Sequence, residues 1–280
     1  MAAKFLGQFL LERGAITPEQ LLAAIEAQRV SNPLLGELAV QRGLLTDAQA
    51  RRVNERQRAE DRRFGDIAQE MGLLDEAQIE DLLAAQKAGR KLFGQILVEQ
   101  GVLTDAELAG HLEAHRADLD EANHALAIGI SGPLAETATA AIRVSHRLFP
   151  RLLASQCQAA GLADDEALRG CEVAAHVRIE GEQPLMIGIG CDQATMRRMA
   201  STLLSIPPEE CDDELAIDAL SEVVNVLMGY VVRDTLADDA RYRACPPEAG
   251  VPAAQLIAGD NAHAVSMNSQ LGPFVLLVGH

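Results

Sequence analysis

Asp218, Glu222 and Asn225 are the residues whose types and spacing point most directly to chemistry in this sequence. They fall at positions i, i+4 and i+7 of an apolar stretch, so on a helix all three project from one face. Asparagine is unfavourable inside a helix because its amide competes for backbone hydrogen bonds. The three residues therefore either present a carboxylate and an amide to a partner's reacting group, or form the solvated side of the helix.

The element that must position these residues is a long helix predicted over residues 211–236. Pro207 and Pro208 end the segment before it, and the acidic residues 212–214 suit the positive end of the helix dipole. Most of its other residues are aliphatic, which predicts burial on most of its circumference.

The pattern Asp218-x-x-x-Glu222-x-x-Asn225, followed by Gly229, resembles the signature helix of the CheC/CheX chemotaxis phosphatases. The resemblance covers about residue 125 to the end of the sequence and includes the order of elements. Pro246 and Pro247 lie close to the place where this family carries a proline, although the register is slightly different. A single helix of this kind matches the CheX pattern rather than the CheC pattern, which has two.

The resemblance implies hydrolysis of the aspartyl phosphate on CheY-type response regulators, which belong to two-component signalling. Asn225 would hold a water molecule in line with phosphorus, Glu222 would pair with a lysine of the regulator, and Asp218 would support docking. The regulator would supply Mg²⁺, so the chain would need no cofactor of its own. The resemblance also implies a homodimer.

The first part of the chain is a fourfold repeat with a step of 29 residues, here numbered copies 1 to 4. Two glycine series keep this step: Gly7, Gly36, Gly65 and Gly94, and then Gly14, Gly43, Gly72 and Gly101. In each copy, a short helix is predicted to end at the second glycine in the left-handed conformation. A capping box then begins a longer helix, with Thr17–Gln20, Thr46–Gln49, Asp75–Gln78 and Thr104–Glu107 in the four copies. The first glycine is expected to let another backbone or a ligand come close.

This repeat resembles the MshE N-terminal domain of type II secretion and type IV pilus ATPases, in which paired 24-residue motifs bind cyclic di-GMP. Four motifs would make two such domains as tandem pairs. The motif of that family opens with arginine, and here only copy 3 has it, at Arg63. The resemblance thus places a nucleotide around copies 3 and 4, at Arg63, Phe64, Gly65, Gly72, Gln86, Phe93, Gly94 and Gly101. The alternative is a degenerate repeat that serves packing or protein contact.

The second part of the chain is predicted to be α+β. Helices are predicted at 134–159 and from Asp192 to Leu204, besides the long helix. Strands are predicted at 171–180, 185–190, 255–258, 263–268 and 274–278. In the strand at 171–180, His176 is expected on a polar, solvent-facing side. The whole chain is thus an all-helical repeat domain of four hairpins over residues 1–120, followed by an α+β, CheX-like domain over 125–280.

Composition excludes several classes of function. The formal net charge of −17 over 280 residues argues against nucleic-acid binding. The five cysteines never form a Cys-x-x-Cys motif, which favours reduced thiols in a cytosol. No apolar run is expected to span a membrane and no signal peptide is evident, so we expect a cytoplasmic protein. His111 and His115 have a metal-compatible spacing but no evident third ligand, so no metal site is predicted.

Three functions stay open on these grounds. The first is a response-regulator phosphatase that is regulated or localised by the repeats. The second is a non-catalytic adaptor, since flagellar switch proteins share the architecture. The third is a cyclic di-GMP receptor that recruits a partner in chemotaxis, motility or secretion; it would survive loss of Asn225 but not of Arg63. Glu222 and Asn225 favour the enzyme, because a scaffold does not need an asparagine in mid-helix.

Overall fold

A computed structural model describes residues 4–60, 62–237, 240–259 and 261–280. It divides into two compact units, Phe5–His115 and Arg116–His280. The first unit is helical and the second contains helices and an antiparallel sheet, so the predicted α+β class is confirmed. The domain limits 1–120 and 125–280 stay a prediction.

The repeat unit consists of alternating short and long helices, as the 29-residue pattern predicts. Their bounds are Leu6–Glu12 (α1), Pro18–Ser31 (α2), Leu35–Gln41 (α3), Asp47–Glu60 (α4), Phe64–Glu70 (α5), Glu76–Gly89 (α6), Phe93–Glu99 (α7) and Asp105–Gly129 (α8). The second glycine of every copy is left-handed, with φ from 66° to 70°. All four predicted capping boxes form; in the first, Gln20 N donates to Thr17 Oγ1 over 3.2 Å and Thr17 N donates to Gln20 Oε1 over 2.8 Å.

The four copies pack in a nested order. Copies 2 and 3 share one core, which includes Ala39, Leu45, Val53, Phe64, Ile67 and Leu82. Copies 1 and 4 share another, which includes Phe9, Leu10, Ala24, Ile96 and Leu97. Chain order alone favours tandem pairs, 1 with 2 and 3 with 4, and the structure differs from that expectation.

The residues beside the first glycines give a physical reason for this order. Copies 3 and 4 carry phenylalanine directly before this glycine, whereas copies 1 and 2 carry leucine. The Phe64 ring lies over Gly36 of copy 2, and the Phe93 ring lies over Gly7 of copy 1. A β-carbon on Gly36 would be only 2.8 Å from the Phe64 ring. The close approach expected at these glycines is therefore made by side chains, not by a backbone or a ligand.

The second unit contains one sheet and five helices after α8 within its described residues. The helices are Ala135–Leu152 (α9), Asp165–Arg169 (α10), Gln193–Leu204 (α11), Asp213–Thr235 (α12) and Ala253–Leu256 (α13), besides a short 3₁₀ turn at Pro208–Glu210. The strands are Cys157–Leu162 (β1), Val173–Gly181 (β2), Leu185–Cys191 (β3), Tyr242–Ala244 (β4), Glu248–Ala249 (β5), His263–Ser269 (β6) and Gly272–Gly279 (β7). The sheet order is β1-β6-β7-β3-β2-β4, with β5 also paired to β2, and every pairing is antiparallel.

Both faces of the sheet are covered. Helices α9, α11 and α12 pack on one face around Val177, Ile187 and Leu276. The stacked rings of Phe149 and Phe274, with centroids 4.8 Å apart, join α9 to β7 on this face. Helix α13 and partly buried residues of α10 cover the other face, around Met186 and Leu277.

The structure confirms the predicted strands β2, β3, β6 and β7 and the predicted helices α11 and α12. Three other predictions were wrong. Helix α9 ends at Leu152 instead of Ala159, after Pro150 and before Ala154, which has a positive φ of 45°. The alanine-rich residues 157–162 form β1 because they pair with β6. Residues 255–258 were predicted as a strand. Instead, the first two of them belong to helix α13, whose N-cap is Pro252. The supposedly polar side of β2 is covered by the second helical layer, so His176 is buried.

Candidate functional site

Helix α12 carries the candidate site and forms for the reasons read from the sequence. Asp212 is its N-cap, and the Asp212 carboxylate accepts a hydrogen bond from Leu215 N over 2.8 Å. Acidic residues occupy the first turn and Arg233 the last, so both ends complement the helix dipole. The predicted limits 211–236 and the observed limits agree within two residues.

The buried side of α12 anchors it in the main core of the second unit. Nine of its side chains are buried: Ala216, Ala219, Leu220, Val223, Val224, Leu227, Met228, Val231 and Val232. By length and composition alone this helix could cross a membrane, contrary to the expectation that no run is long enough. Half of its most apolar window is buried inside the protein, and core helices of soluble proteins pass the same test.

Asp218, Glu222, Asn225 and Gly229 form the exposed side of α12, here called the polar stripe. At 100° per residue, these four positions lie within about 60° of arc. The prediction that the first three share one face is confirmed. Their side chains make no hydrogen bond or ion pair with other residues in the described part of the chain. The carboxylates and the amide are therefore available to a partner.

Gly229 is unusual within the polar stripe because packing does not require it. A β-carbon at this position would meet no atom within 4 Å. Glycine in a helix interior costs about 1 kcal/mol relative to alanine. Its effect is to leave a bare patch of helix backbone one turn from Asn225.

Arginines of α9 and of α12 itself gather around Tyr230 and Asp234, where α9 packs on α12. The Arg147 and Arg233 guanidinium carbons lie 5.7 Å and 4.4 Å from the ring centroid of Tyr230. Arg143 and Arg147 each lie 3.6 Å from a carboxylate oxygen of Asp234. Sequence reasoning missed this group, although the spacing of Arg143, Arg147 and Arg151 at i, i+4 and i+8 on a predicted helix could have found it.

Helix α11 also packs against α12. There the Arg197 guanidinium donates to the Asp213 carboxylate over 2.8 Å. Both side chains are about half exposed, so this pair ties the start of α12 to α11 only weakly.

The residues proposed for cyclic di-GMP divide between the two repeat cores. Arg63 is exposed at the N-cap of α5, whereas Phe64 and Gly65 are buried in the core of copies 2 and 3. Gln86 also contacts copy 2, because its Nε2 donates to the Pro33 carbonyl over 2.9 Å. Copy 3 therefore faces copy 2 rather than copy 4.

The residues of copy 4 that were predicted to bind cyclic di-GMP belong to the core of copies 1 and 4. Gly94 is buried and Phe93 is partly buried, and both pack with copy 1. Gly72 and Gly101 are exposed left-handed turn residues with no atom within 4 Å of a β-carbon position. The site residues of copies 3 and 4 thus lie in separate cores and are not combined in one cluster.

An ion-pair network beside Arg63 was not foreseen. Arg56 Nε donates to Glu60 over 2.5 Å, and Arg62 lies 3.1 Å from Glu60. Both arginines also contact the Glu70 carboxylate. Arg63 directly follows Arg62 in the chain and is exposed at the N-cap of α5.

The metal spacing at His111 and His115 has a packing explanation. The His115 ring packs on Phe9, with centroids 5.0 Å apart, in the core of copies 1 and 4. Among the described residues, no group of three or more histidine, cysteine or acidic side chains could hold a metal ion.

Comparison with known proteins identifies part of the second unit. Residues 173–268 match the profile of the family described as "Chemotaxis phosphatase CheX". This segment, from β2 to β6, contains the whole of α12 and the polar stripe. The chain therefore has a CheX-like segment in its C-terminal unit, as the sequence predicted. No curated protein matches the chain.

Solved structures of similar proteins include a CheX from Desulfovibrio desulfuricans, with 14% identity and a TM-score of 0.40, covering 51% of this chain and 98% of that one. CheX from Vibrio vulnificus has 14% identity and a TM-score of 0.41, covering 53% and 98%. A CheX–CheY–BeF₃–Mg²⁺ complex from Borrelia burgdorferi has 21% identity and a TM-score of 0.39, covering 51% and 92%.

Proposed function

We propose that the C-terminal unit is a CheX-type phosphatase that removes the phosphoryl group from the phosphoaspartate of a CheY-type response regulator. The observation that carries the proposal is the exposed Glu222–Asn225 pair on a firmly anchored helix, inside the segment that matches the CheX profile. A pair held by a buried helix is a rigid probe that can enter the concave site of a partner.

In this reaction the protein contributes position rather than a reactive group. A water oxygen attacks phosphorus while the bond between phosphorus and the aspartyl oxygen breaks, which yields a carboxylate and inorganic phosphate. Asn225 holds the attacking water through its amide, in line with the leaving oxygen. An amide suits this task because it both donates and accepts hydrogen bonds and stays neutral.

Glu222 and Asp218 orient the approach. One turn from Asn225, the Glu222 carboxylate pairs with a lysine of the regulator and so fixes the position of the amide. Asp218, one further turn away, supports docking. The regulator's own carboxylates hold Mg²⁺, which neutralises the charge on the phosphoryl group.

The principal rival is an adaptor that binds the regulator without hydrolysis. Phosphate release from phosphorylated receiver domains separates the two functions. A phosphatase accelerates release and depends on Asn225, whereas an adaptor binds the phosphorylated receiver and leaves its decay unchanged or slower.

For the repeat unit we propose control or localisation of this activity, with cyclic di-GMP as a candidate ligand. The exposed side chain of Arg63, at the N-cap of α5, supports a phosphate contact. Guanidinium groups pair with phosphate in a bidentate manner, which exposed Leu34 and Leu92 at the equivalent positions cannot do. The alternative is that the repeats bind a partner protein only. A homodimer and a cytoplasmic location complete the proposal.

A further inference from the structure

Strand β4 ends the sheet, and its outer side is here called the open edge. All three residues of β4 are exposed, and Tyr242 is 49% exposed. On the inner side, β4 pairs with β2 and places Arg243 opposite Glu180. Within the described residues, no strand pairs with the outer side. An unpaired edge of this kind is a template for another extended chain.

The backbone groups of β4 alternate between the two sides. Cys245 N donates to the Arg178 carbonyl over 2.9 Å, so Cys245 faces β2. Hydrogen-bonded and non-hydrogen-bonded residues alternate along an antiparallel pair. Arg243 therefore also bonds to β2, whereas Tyr242 and Ala244 direct their N–H and C=O groups outward. These outward groups have no hydrogen-bond partner in the part of the chain that the structure describes.

Positive charge dominates one face of the β2–β4 pair. The Arg243 guanidinium lies 3.0 Å from the Glu180 carboxylate and is neutralised by it. Arg178 lies two residues before Glu180, and Arg241 lies two residues before Arg243, so both follow the same face. Arg178 and Arg241 are exposed and make no ion pair among the described residues. In a chain with a net charge of −17, this face is a local reversal of charge.

The same arginines disfavour pairing between two copies of β4. An antiparallel dimer centred on Arg243 would place this residue opposite its own copy. A dimer centred on Tyr242 would place Arg243 opposite Arg241, and like charges directly opposite each other are destabilising. A dimer centred on Ala244 would place Pro246 opposite Tyr242, where proline has no N–H to donate. The open edge therefore suits a chain of different sequence.

We infer that the open edge binds an extended acidic segment of a partner protein, in which acidic residues alternate with apolar ones. The backbone of the segment bonds to the outward groups of Tyr242 and Ala244. Side chains of an added strand alternate between the two faces. The acidic ones meet Arg241 and Arg243, and the apolar ones pack on Tyr242 and Ala244. This surface does not depend on the proposed function.

The test titrates the full-length chain with two synthetic peptides of about eight residues, an ordinary strand length. One peptide alternates glutamate with valine, and the other alternates lysine with valine. Ala244→Pro removes an outward N–H that β2 does not use, and edge strands tolerate proline at such positions. Ala244→Val keeps this N–H and is the matched control. Arg241→Ala removes a charge, and Arg169→Ala on α10 removes an exposed arginine elsewhere as its control.

We expect the glutamate peptide to bind about tenfold or more tightly than the lysine peptide at low salt. Ala244→Pro should weaken binding of the glutamate peptide by about tenfold or more, and Ala244→Val should bind like the wild type. Arg241→Ala should bind about threefold to tenfold more weakly, and Arg169→Ala should be unchanged. Amide hydrogen exchange at Tyr242 and Ala244 should slow when the glutamate peptide is bound.

Three results would overturn the inference: no binding of the glutamate peptide, equal affinity for the two peptides, or wild-type affinity in Ala244→Pro. A wild-type dimer that Ala244→Pro dissociates would also overturn it, because a second copy would then occupy the open edge. If Ala244→Pro melts below the wild type, Arg241→Ala and the amide exchange of Tyr242 decide.

Discussion

Asn225 and Gly229 lie one helical turn apart on the exposed polar stripe of α12, and a β-carbon on Gly229 would meet no atom within 4 Å. The helix therefore keeps a glycine where its own packing would accept alanine. We propose that the close approach of a partner requires this glycine.

Gly229→Ala should accordingly move stability and activity in opposite directions. The free energy of unfolding should rise by about 1 kcal/mol, because alanine is the better helix residue. Phosphate release should fall, because the methyl group stands where the partner approaches. Chemical denaturation and a phosphate-release assay measure the two effects. Gly110→Ala, at an exposed and open position of α8, is the control that should gain stability and keep activity. Full activity in Gly229→Ala would contradict the account.

The nested order of the repeats predicts coupling between Gly36 and Phe64. Gly36→Ala should destabilise the fold by about 1–3 kcal/mol, because the new β-carbon would clash with the Phe64 ring. Phe64→Leu should relieve that clash, so the double variant should be less destabilised than the sum of the single variants. Gly110→Ala combined with Phe64→Leu should be additive. Additivity in both pairs would mean that copies 2 and 3 do not pack in this way.

His176 predicts a loss of stability in mild acid. Its side chain is 1% exposed, and burial lowers the pKa of His176 below its ordinary value of 6.5; nearby Arg178 lowers it further, and Glu248 at 3.8 Å only partly opposes this. Because the unfolded chain binds the proton more readily, stability is present above about pH 6.5 and is lost as the pH falls through the folded pKa.

Chemical denaturation at pH 7.5 and below about pH 6 checks this expectation. One such proton contributes at most about 1.4 kcal/mol per pH unit. The wild type should lose more stability than His176→Leu over this range, since leucine cannot titrate. Equal losses in the two proteins would rule out His176 as the cause.

The proposed nucleotide contact predicts a specific loss in Arg63→Ala. If cyclic di-GMP binds the full-length chain, the variant should bind about 10- to 100-fold more weakly, since a charge-assisted phosphate contact is lost. Arg42→Ala removes another exposed arginine of the repeat unit and should bind normally. Calorimetric titration measures the affinity of all three proteins for cyclic di-GMP. Equal affinities for the two variants would remove Arg63 from the site, and no binding by the wild type would leave the repeats a role in packing or protein contact.

Local patterns in the sequence predicted the elements that depend on local physics. The left-handed turn at Gly72 and the capping box at Asp75–Gln78 involve neighbours in the chain, so their residue types are sufficient to identify them. The face shared by Glu222 and Asn225 follows from helical geometry in the same way.

The features that were missed depend on residues far apart in sequence. Residues 157–162 become a strand because β6 lies beside them, and His176 is buried on the side of β2 where the second helical layer packs around Ala174. The pairing of Phe64 with Gly36 selects nested over tandem packing, and nothing within one copy reveals it. The Arg147–Asp234 contact likewise needs the packing of α9 against α12.

The most direct test of the central claim is the rate of phosphate release from phosphorylated receiver domains with wild type, Asn225→Ala and Asn54→Ala. Asn54 is a matched control, since it is also an exposed asparagine in the interior of a helix, α4 of the repeat unit. We predict that the wild type and Asn54→Ala accelerate release from at least one receiver. Asn225→Ala should lose that acceleration by a factor on the order of 100, because the attacking water is no longer positioned. Acceleration that survives in Asn225→Ala, or none by the wild type on any receiver, would contradict the account.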